Sequence, residues 1–274
     1  MPRYVLTLVC PDRIGIVHAV SGFLANQRCN IVDSQQFRDP ATGKFFMRVH
    51  FEGEAGDFAS VGTEYAMDWE LSDEQARSRL LVLVSREGHC LNDLLYRWRI
   101  GALSGDIAGI VSNHPDFEPL ATAYGVPYHH LPVSAESRPQ QEAALLDLVD
   151  RYDFGLVVLA RYMQVLSNDV VARYPNRIIN IHHSFLPAFV GARPYHQAYA
   201  RGVKLIGVTA HYATAELDAG PIIEQDVARI SHRDTVDDLI RKGRDLEQVV
   251  LARAIRDHLE HRILVYENKT VVFT

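Results

Sequence analysis

The chain has 274 residues, 47% of them hydrophobic, enough to fill one large core or two modest ones. Its 28 Lys and Arg against 34 Asp and Glu give a formal net charge of -6 with the two signs interspersed, so no basic stripe is offered to duplex nucleic acid or tRNA. Three cysteines without a paired metal spacing, an apolar start that Asp12 and Arg13 interrupt too soon for a signal peptide, and apolar runs far below membrane-spanning length lead to the expectation of a soluble cytoplasmic protein.

In chain order, Tyr4 to Val9 reads as a strand and Cys10 to Gly15 as the turn into a helix with Ile16, Val20, Phe23 and Leu24 on one apolar face. Strands follow at Asn30 to Phe37 and Lys44 to Phe51, joined by the turn Asp39 to Gly43. A second helix is expected over Phe58 to Trp69, with Val61, Tyr65 and Trp69 on one side, and a last strand near Glu70 to Ser72. That order is the ferredoxin-like α+β plan. The run Pro11-Asp12-Arg13-Ile14-Gly15-Ile16-Val17, with Gln27 to Ile31, resembles the ACT regulatory domain, which implies an amino-acid effector near Asp12, Gly15 and Asn30. A folding or dimerisation module without ligand is the plainer alternative, and an exposed sheet edge in such a module makes a homo-oligomer the expectation. The polar run Leu71 to Arg77 divides the chain into 1–76 and 77–274.

From Arg79 strands and helices alternate, the mark of a Rossmann-like, mostly parallel α/β sheet. Strands are expected at Arg79 to Val84, Asp106 to Val111, Tyr128 to Leu131, Leu156 to Ala160, Ile178 to His182, Val203 to Tyr212 and Ile222 to Ala228. Helices are expected near Leu91 to Ile100, Phe117 to Tyr124, Pro139 to Tyr152, Asp169 to Tyr174 and Val236 to His258. The C-terminal run Ile263 to Thr274 is too short for a further domain.

The stretch that carries chemistry is Asn180-Ile181-His182-His183-Ser184-Phe185-Leu186-Pro187. Residues two apart on a strand share a face, which sets the Asn180 amide beside the His182 imidazole at the carboxyl end of a strand, where open α/β sheets bind ligands. An amide donor beside a group that titrates near neutrality suits acyl transfer; a turn-capping Asn and a backbone-bonded His would look the same. Downstream, His211 leads into a polar loop with Asp218 and a Gly220-Pro221 turn, which can return Asp218 to His182. His183 falls on the opposite face if the strand stays regular, and Ser184 lacks the Gly-x-Ser-x-Gly elbow of a nucleophile.

Together, the 180–187 stretch and Leu217-Asp218-Ala219-Gly220-Pro221-Ile222 resemble the signature of the folate-dependent formyltransferase family. The runs Ala160 to Ser167 and Gly191 to Ala198 resemble its formyltetrahydrofolate hydrolase branch. The resemblance implies that Asn180, His182 and Asp218 are the catalytic trio and that Met163, Gln164 and Leu166 lie in the segment that takes the pterin. It implies hydrolysis of 10-formyltetrahydrofolate to formate and tetrahydrofolate, the formate feeding purine synthesis. Neither a metal nor another cofactor is called for, the folate being the substrate. The alternative acceptor is an amine, as in glycinamide ribonucleotide transformylases, where a glycine-rich loop cradles a phosphate. Here that place reads Ser85-Arg86-Glu87-Gly88-His89-Cys90, with one glycine and an acid, which favours water. Gly88, His89 and His211 complete the expected substrate contacts. A third possibility, an amino-acid sensor with a relic catalytic domain, does not require all three trio residues to survive.

Overall fold

The computed structural model describes residues 1–134, 136–188 and 193–274, arranged as two compact units. The first contains β1 (Arg3–Pro11), α1 (Ile16–Asn26), β2 (Asn30–Asp39), β3 (Lys44–Glu52), α2 (Ala59–Glu64) and β4 (Asp68–Asp73). Its sheet runs β2-β3-β1-β4, all pairs antiparallel, which is the expected ferredoxin-like α+β plan. The helix-facing core is built from Leu6, Leu8, Ile16, Val20, Leu24, Met47, Val49 and Phe51. One expectation fails here. The second helix stops at Glu64 instead of reaching Trp69, because Ala66 takes a left-handed backbone (φ 51°) in the turn that leads into β4 at Asp68. Trp69 still packs against that helix, but from β4: its indole lies over Gly62, where a Cβ would come within 2.4 Å of Nε1.

The second unit spans Ser78–Leu259. In chain order it holds β5 (Ser78–Val84), α3 (His89–Arg99), β6 (Gly105–Ser112), α4 (Glu118–Tyr124), β7 (Tyr128–His130), α5 (Arg138–Tyr152), β8 (Leu156–Leu159), α6 (Asn168–Arg173) and β9 (Ile178–His182). It continues with α7 (Pro194–Arg201), β10 (Leu205–Tyr212), β11 (Ile222–Arg229) and the long α8 (Val236–Leu259). The sheet order is β11-β10-β9-β8-β5-β6-β7. The pairs from β9 to β7 are parallel, whereas β10 runs antiparallel to both β9 and β11. Every expected strand and helix of this unit is found within a few residues. Helix α7 had no counterpart in the sequence pattern.

The chain leaves β5 toward β6 and β7, then returns to build β8 and β9 on the other side. The carboxyl ends of β5 and β8 therefore flank a topological switch point, the general position of ligand sites in such sheets. Apolar runs such as Leu80 to Val84 are fully buried because helices cover both faces.

The last fifteen or so residues, expected with the catalytic unit, group instead with the first: Glu260–Thr274 joins Met1–Arg77. They form a hairpin of β12 (Ile263–Tyr266) and β13 (Lys269–Val272) whose Leu264, Tyr266, Val271 and Phe273 pack with Phe46 and Val9. Strand β3 explains this. Phe45, Met47, Val49 and Phe51 face the helices, and the alternate Phe46 and Arg48 are buried as well, so the opposite face of the sheet needs a cover. Arg48 latches that cover, donating from Nε to the His261 carbonyl (3.1 Å) and from Nη2 to the Glu260 carbonyl (3.0 Å), with Asp33 at 3.3 Å from Nη1. Replacing Arg48 by Ala strands two carbonyls and is expected to lower stability by about 2 kcal/mol, within the usual cost of unsatisfied buried polar groups. Calorimetry should show the lower transition, and limited proteolysis should open the C-terminal hairpin; an unchanged melt and digest would assign the latch no role.

Candidate active site

The register of β9 against β10 assembles the site. Asn180 lies directly opposite His211, and His182 opposite Thr209. Across the first pair, Asn180 Nδ2 stands 3.1 Å from His211 Nε2. The other ring nitrogen of His211 is 3.0 Å from the Tyr212 carbonyl, which can only accept, so Nδ1 carries the proton and Nε2 accepts from the amide. Burial, against the opposing pull of the Tyr212 carbonyl and Asp218, lowers the His211 pKa and keeps it neutral for this role. One N–H of Asn180 is thereby fixed toward His211, and its second is left for another acceptor.

Across the second pair, the Thr209 hydroxyl donates to the Ser184 carbonyl (2.9 Å) and accepts from the Leu186 N–H (3.1 Å) and from Gln225 Nε2 (2.9 Å). These bonds anchor the loop that leaves β9 and so fix His182 at its root. The Ser184 hydroxyl is buried and donates to the Ala188 carbonyl (2.8 Å), as expected of a residue that is not a nucleophile.

Asp218 returns from the loop between β10 and β11 with a left-handed backbone (φ 56°), and its Oδ1 lies 3.2 Å from His182 Nδ1 and 3.8 Å from His211 Nε2. Burial raises the carboxyl pKa, but the hydrogen bond from His182, with the surrounding imidazoles, outweighs it, so the net shift is downward and the group is an anion. His182 Nε2 is buried and has no hydrogen-bond partner among the described residues. The loop's closure depends on Gly220, where a Cβ would fall 1.8 Å from the Tyr212 carbonyl oxygen. Gly220→Ala must push the loop outward and carry Asp218 with it; a displacement near 1 Å at a reacting group can cost about 10²-fold in turnover. We expect a loss of that order in kcat with a folded protein by circular dichroism, and near-normal turnover would show that the loop tolerates the methyl.

These groups open into a cavity of about 650 Å³, within the range of small-molecule sites. Met163, Gln164, Val165 and Leu166, in the loop after β8, line it as expected, together with Asn180, His182, His211 and Asp218. His183 lines it too, contrary to the opposite-face reading: β9 ends at His182, so strand alternation no longer applies one residue on. Burial and the nearby Arg161 guanidinium push the His183 pKa down to about 4, and the ring is neutral.

Two other expected contacts are displaced. Gly88 caps the start of α3 and faces the Phe117 ring, and His89 bonds the buried carboxylate of Glu247 (Nε2 to Oε2, 2.7 Å). Neither is among the residues lining the cavity, whereas their neighbour Glu87 is. Cys90 is fully buried, and burial raises its thiol pKa, which leaves it an inert apolar filler. In the first unit, the Asp12 carboxylate pairs with Arg38, Gly15 caps α1 with a left-handed backbone (φ 99°), and Asn30 begins β2 at the surface. Gly191 and Ala192 lie outside the described residues.

Residues 78–255 match the family described as formyl transferase, and residues 4–59 match the ACT domain. Formyltetrahydrofolate deformylase from Synechocystis is 50% identical over 98% of this chain and 97% of its own. The chain belongs to the formyltetrahydrofolate deformylase family. The family member from Corynebacterium sp. (strain P-1) is 47% identical over 98% of both chains. The crystal structure of the deformylase from Pseudomonas syringae pv. tomato superposes with a TM-score of 0.97 at 47% identity, covering all of this chain and 95% of that one. Membership accounts for the pairing of an ACT unit with a formyltransferase unit, and no helix among the described residues is long and apolar enough to cross a membrane.

Among the lining residues that were not anticipated, Arg161, Tyr195, Arg244 and Glu247 are polar groups tied to one another or to the cavity rim. Glu247 sits on α8 among apolar positions, and nothing in its local sequence distinguishes it from a solvated helix acid. The one available signal was burial, since Val250, Leu251 and Ala254 place the same helix side inward at 3.6-residue spacing.

Proposed function

We propose that the chain hydrolyses 10-formyltetrahydrofolate to formate and tetrahydrofolate, with Asn180, His182 and Asp218 as the catalytic groups. The observation that carries the reading is the buried Nε2 of His182, which has no hydrogen-bond partner among the described residues, while Nδ1 faces the Asp218 carboxylate. Such a ring holds its proton at Nδ1 and presents a lone pair at Nε2. A water bound there loses a proton to Nε2 as its oxygen bonds to the formyl carbon. The carbonyl oxygen becomes an oxyanion and takes the second N–H of Asn180, the one His211 leaves free. The imidazolium, stabilised by Asp218, then returns the proton to the leaving nitrogen as the carbon–nitrogen bond breaks. This chemistry needs no metal, since the amide and the imidazole supply both the electrostatic and the proton-transfer steps.

The pterin would occupy the part of the cavity lined by Met163, Gln164, Val165 and Leu166. Water is favoured over an amine acceptor because the β5–α3 loop offers Glu87, paired to Arg244, where a phosphate cradle would need free amides. For the ACT unit, the same reading retains a small amino acid as effector near Asp12, Gly15 and Asn30, within a homo-oligomer. The test is incubation with 10-formyltetrahydrofolate alone. Formate equal to the tetrahydrofolate produced, at a rate independent of added amines, supports the reading. Turnover only with an amine present overturns it in favour of a transferase.

A further inference from the structure

Apart from Asn180 to His183 at the end of β9, the residues that line the cavity come mainly from two groups. One comes from the loops after β8 and β10 and contains the pterin segment; the other comes from α7, α8 and the β5–α3 loop and centres on Glu247. Glu247 is 1% exposed, yet its carboxylate meets two hydrogen-bond donors and a guanidinium. The Tyr195 hydroxyl donates to Oε1 (2.8 Å), His89 Nε2 donates to Oε2 (2.7 Å), and Arg161 Nε stands 3.3 Å from Oε2. Burial alone would raise its pKa, but His89, Arg161 and Tyr195 outweigh that and hold it low, so a full negative charge is stored inside the wall. Burying an ion pair is costly, and a fold that needed only stability could use apolar residues of the same volume.

The wall connects to the catalytic ring. The His183 ring lies between His182 (5.3 Å between centroids) and Tyr195 (6.1 Å), and Tyr195 in turn holds Glu247. Tyr195 can reach Glu247 only because Gly243, one helical turn earlier on α8, has no side chain: a Cβ there would fall 2.0 Å from the tyrosine oxygen. Arg244, the next residue, is tied to Glu87 at 2.6 Å. The face of α8 made by Gly243, Arg244 and Glu247 is thus tied to Tyr195, to the β5–α3 loop through Glu87, and to Arg161.

We infer that Glu247, held by His89, Tyr195 and Arg161, is the residue that restricts the nucleophile to water, by filling with an immobilised charged side chain the space that a larger acceptor would enter. The inference rests on the hydrolytic reading and adds to it the reason why amines are refused. An amine that gained entry would follow the same course as water: its nitrogen bonds to the formyl carbon, the bond to the folate nitrogen breaks, and one proton passes from the attacking to the leaving nitrogen. No electrons change hands.

The experiment supplies 10-formyltetrahydrofolate with excess hydroxylamine and measures formate and formohydroxamate together, after subtracting the reaction without protein. Wild type should give formate almost alone. Glu247→Ala should raise the hydroxamate-to-formate ratio at least about tenfold, the scale of discrimination a hydrophobic-sized change in a pocket supports. Glu247→Asp, one methylene shorter but still an anion for Arg161, should raise it in the same direction by less, and it carries the test if the alanine variant does not fold. Glu247→Gln keeps the volume and should stay near the wild-type ratio. A general loss of structure lowers both products together and leaves the ratio alone. An unchanged ratio in folded Glu247→Asp or Glu247→Ala, or a shift in Glu247→Gln as large as in Glu247→Ala, overturns the inference. Absence of formate from wild type without hydroxylamine would instead remove the hydrolytic reading beneath it.

Discussion

His182→Ala is expected to reduce formate release by about 10³- to 10⁴-fold, the upper range for removal of a positioned acid–base group. The size of the effect follows from the double use of the ring. Its Nε2 is buried and has no hydrogen-bond partner among the described residues, and its Nδ1 is fixed by Asp218 at 3.2 Å. Removing the imidazole abolishes activation of the water and protonation of the leaving nitrogen together. It also leaves the Asp218 carboxylate without its hydrogen bond from His182, so a modest loss of stability should accompany the kinetic effect. Single-turnover formate release separates the two, because substrate binding through the pterin segment should survive. A kcat within tenfold of wild type in a folded His182→Ala protein would take the imidazole out of the mechanism.

Asn180→Ala is expected to cost about 10²- to 10³-fold in kcat, with KM little changed, as for loss of one oxyanion donor. The prediction depends on where the two amide hydrogens go. His211 takes one of them at 3.1 Å because its other nitrogen is committed to the Tyr212 carbonyl, and the second remains for another acceptor on a residue that lines the cavity. Alanine removes a donor that matters only once the carbonyl oxygen carries charge, so ground-state binding is largely spared. Because Asn180 and His182 act on one tetrahedral species, the double variant should be scarcely slower than His182→Ala by itself. Multiplicative losses in the double variant, or a rise in KM without a fall in kcat, would place the amide in substrate binding.

Much of this site was legible in the sequence because its parts sit at positions that local rules determine. Asn180 and His182 are two apart on a strand, and strand alternation places them on one face whatever the rest of the chain does. The loop to Asp218 was marked by its Gly-Pro end, although the geometric reason, a glycine against the Tyr212 carbonyl, appears only in the fold. His183 shows the limit of the same rule, since it lies one residue beyond the end of β9. Glu247 was hidden for a different reason. Its significance lies in contacts with residues 86 and 158 positions away, and a buried acid and a solvated one look alike on a helix. The C-terminal hairpin was missed in the same way: the run Ile263 to Thr274 read only as too short for a further domain, but the reason it folds is the buried outer face of β3, more than two hundred residues earlier. Second-helix length failed because the pattern of Val61, Tyr65 and Trp69 fits a helix as well as a helix followed by a returning strand.

The most direct measurement of the central claim is the origin of the oxygen in the product. With 10-formyltetrahydrofolate turned over in H₂¹⁸O, direct attack of solvent on the formyl carbon predicts formate carrying one ¹⁸O from water in every turnover, at a yield equal to the tetrahydrofolate formed. Formate without solvent label, or a formyl group recovered on an added amine in place of formate, would contradict the account.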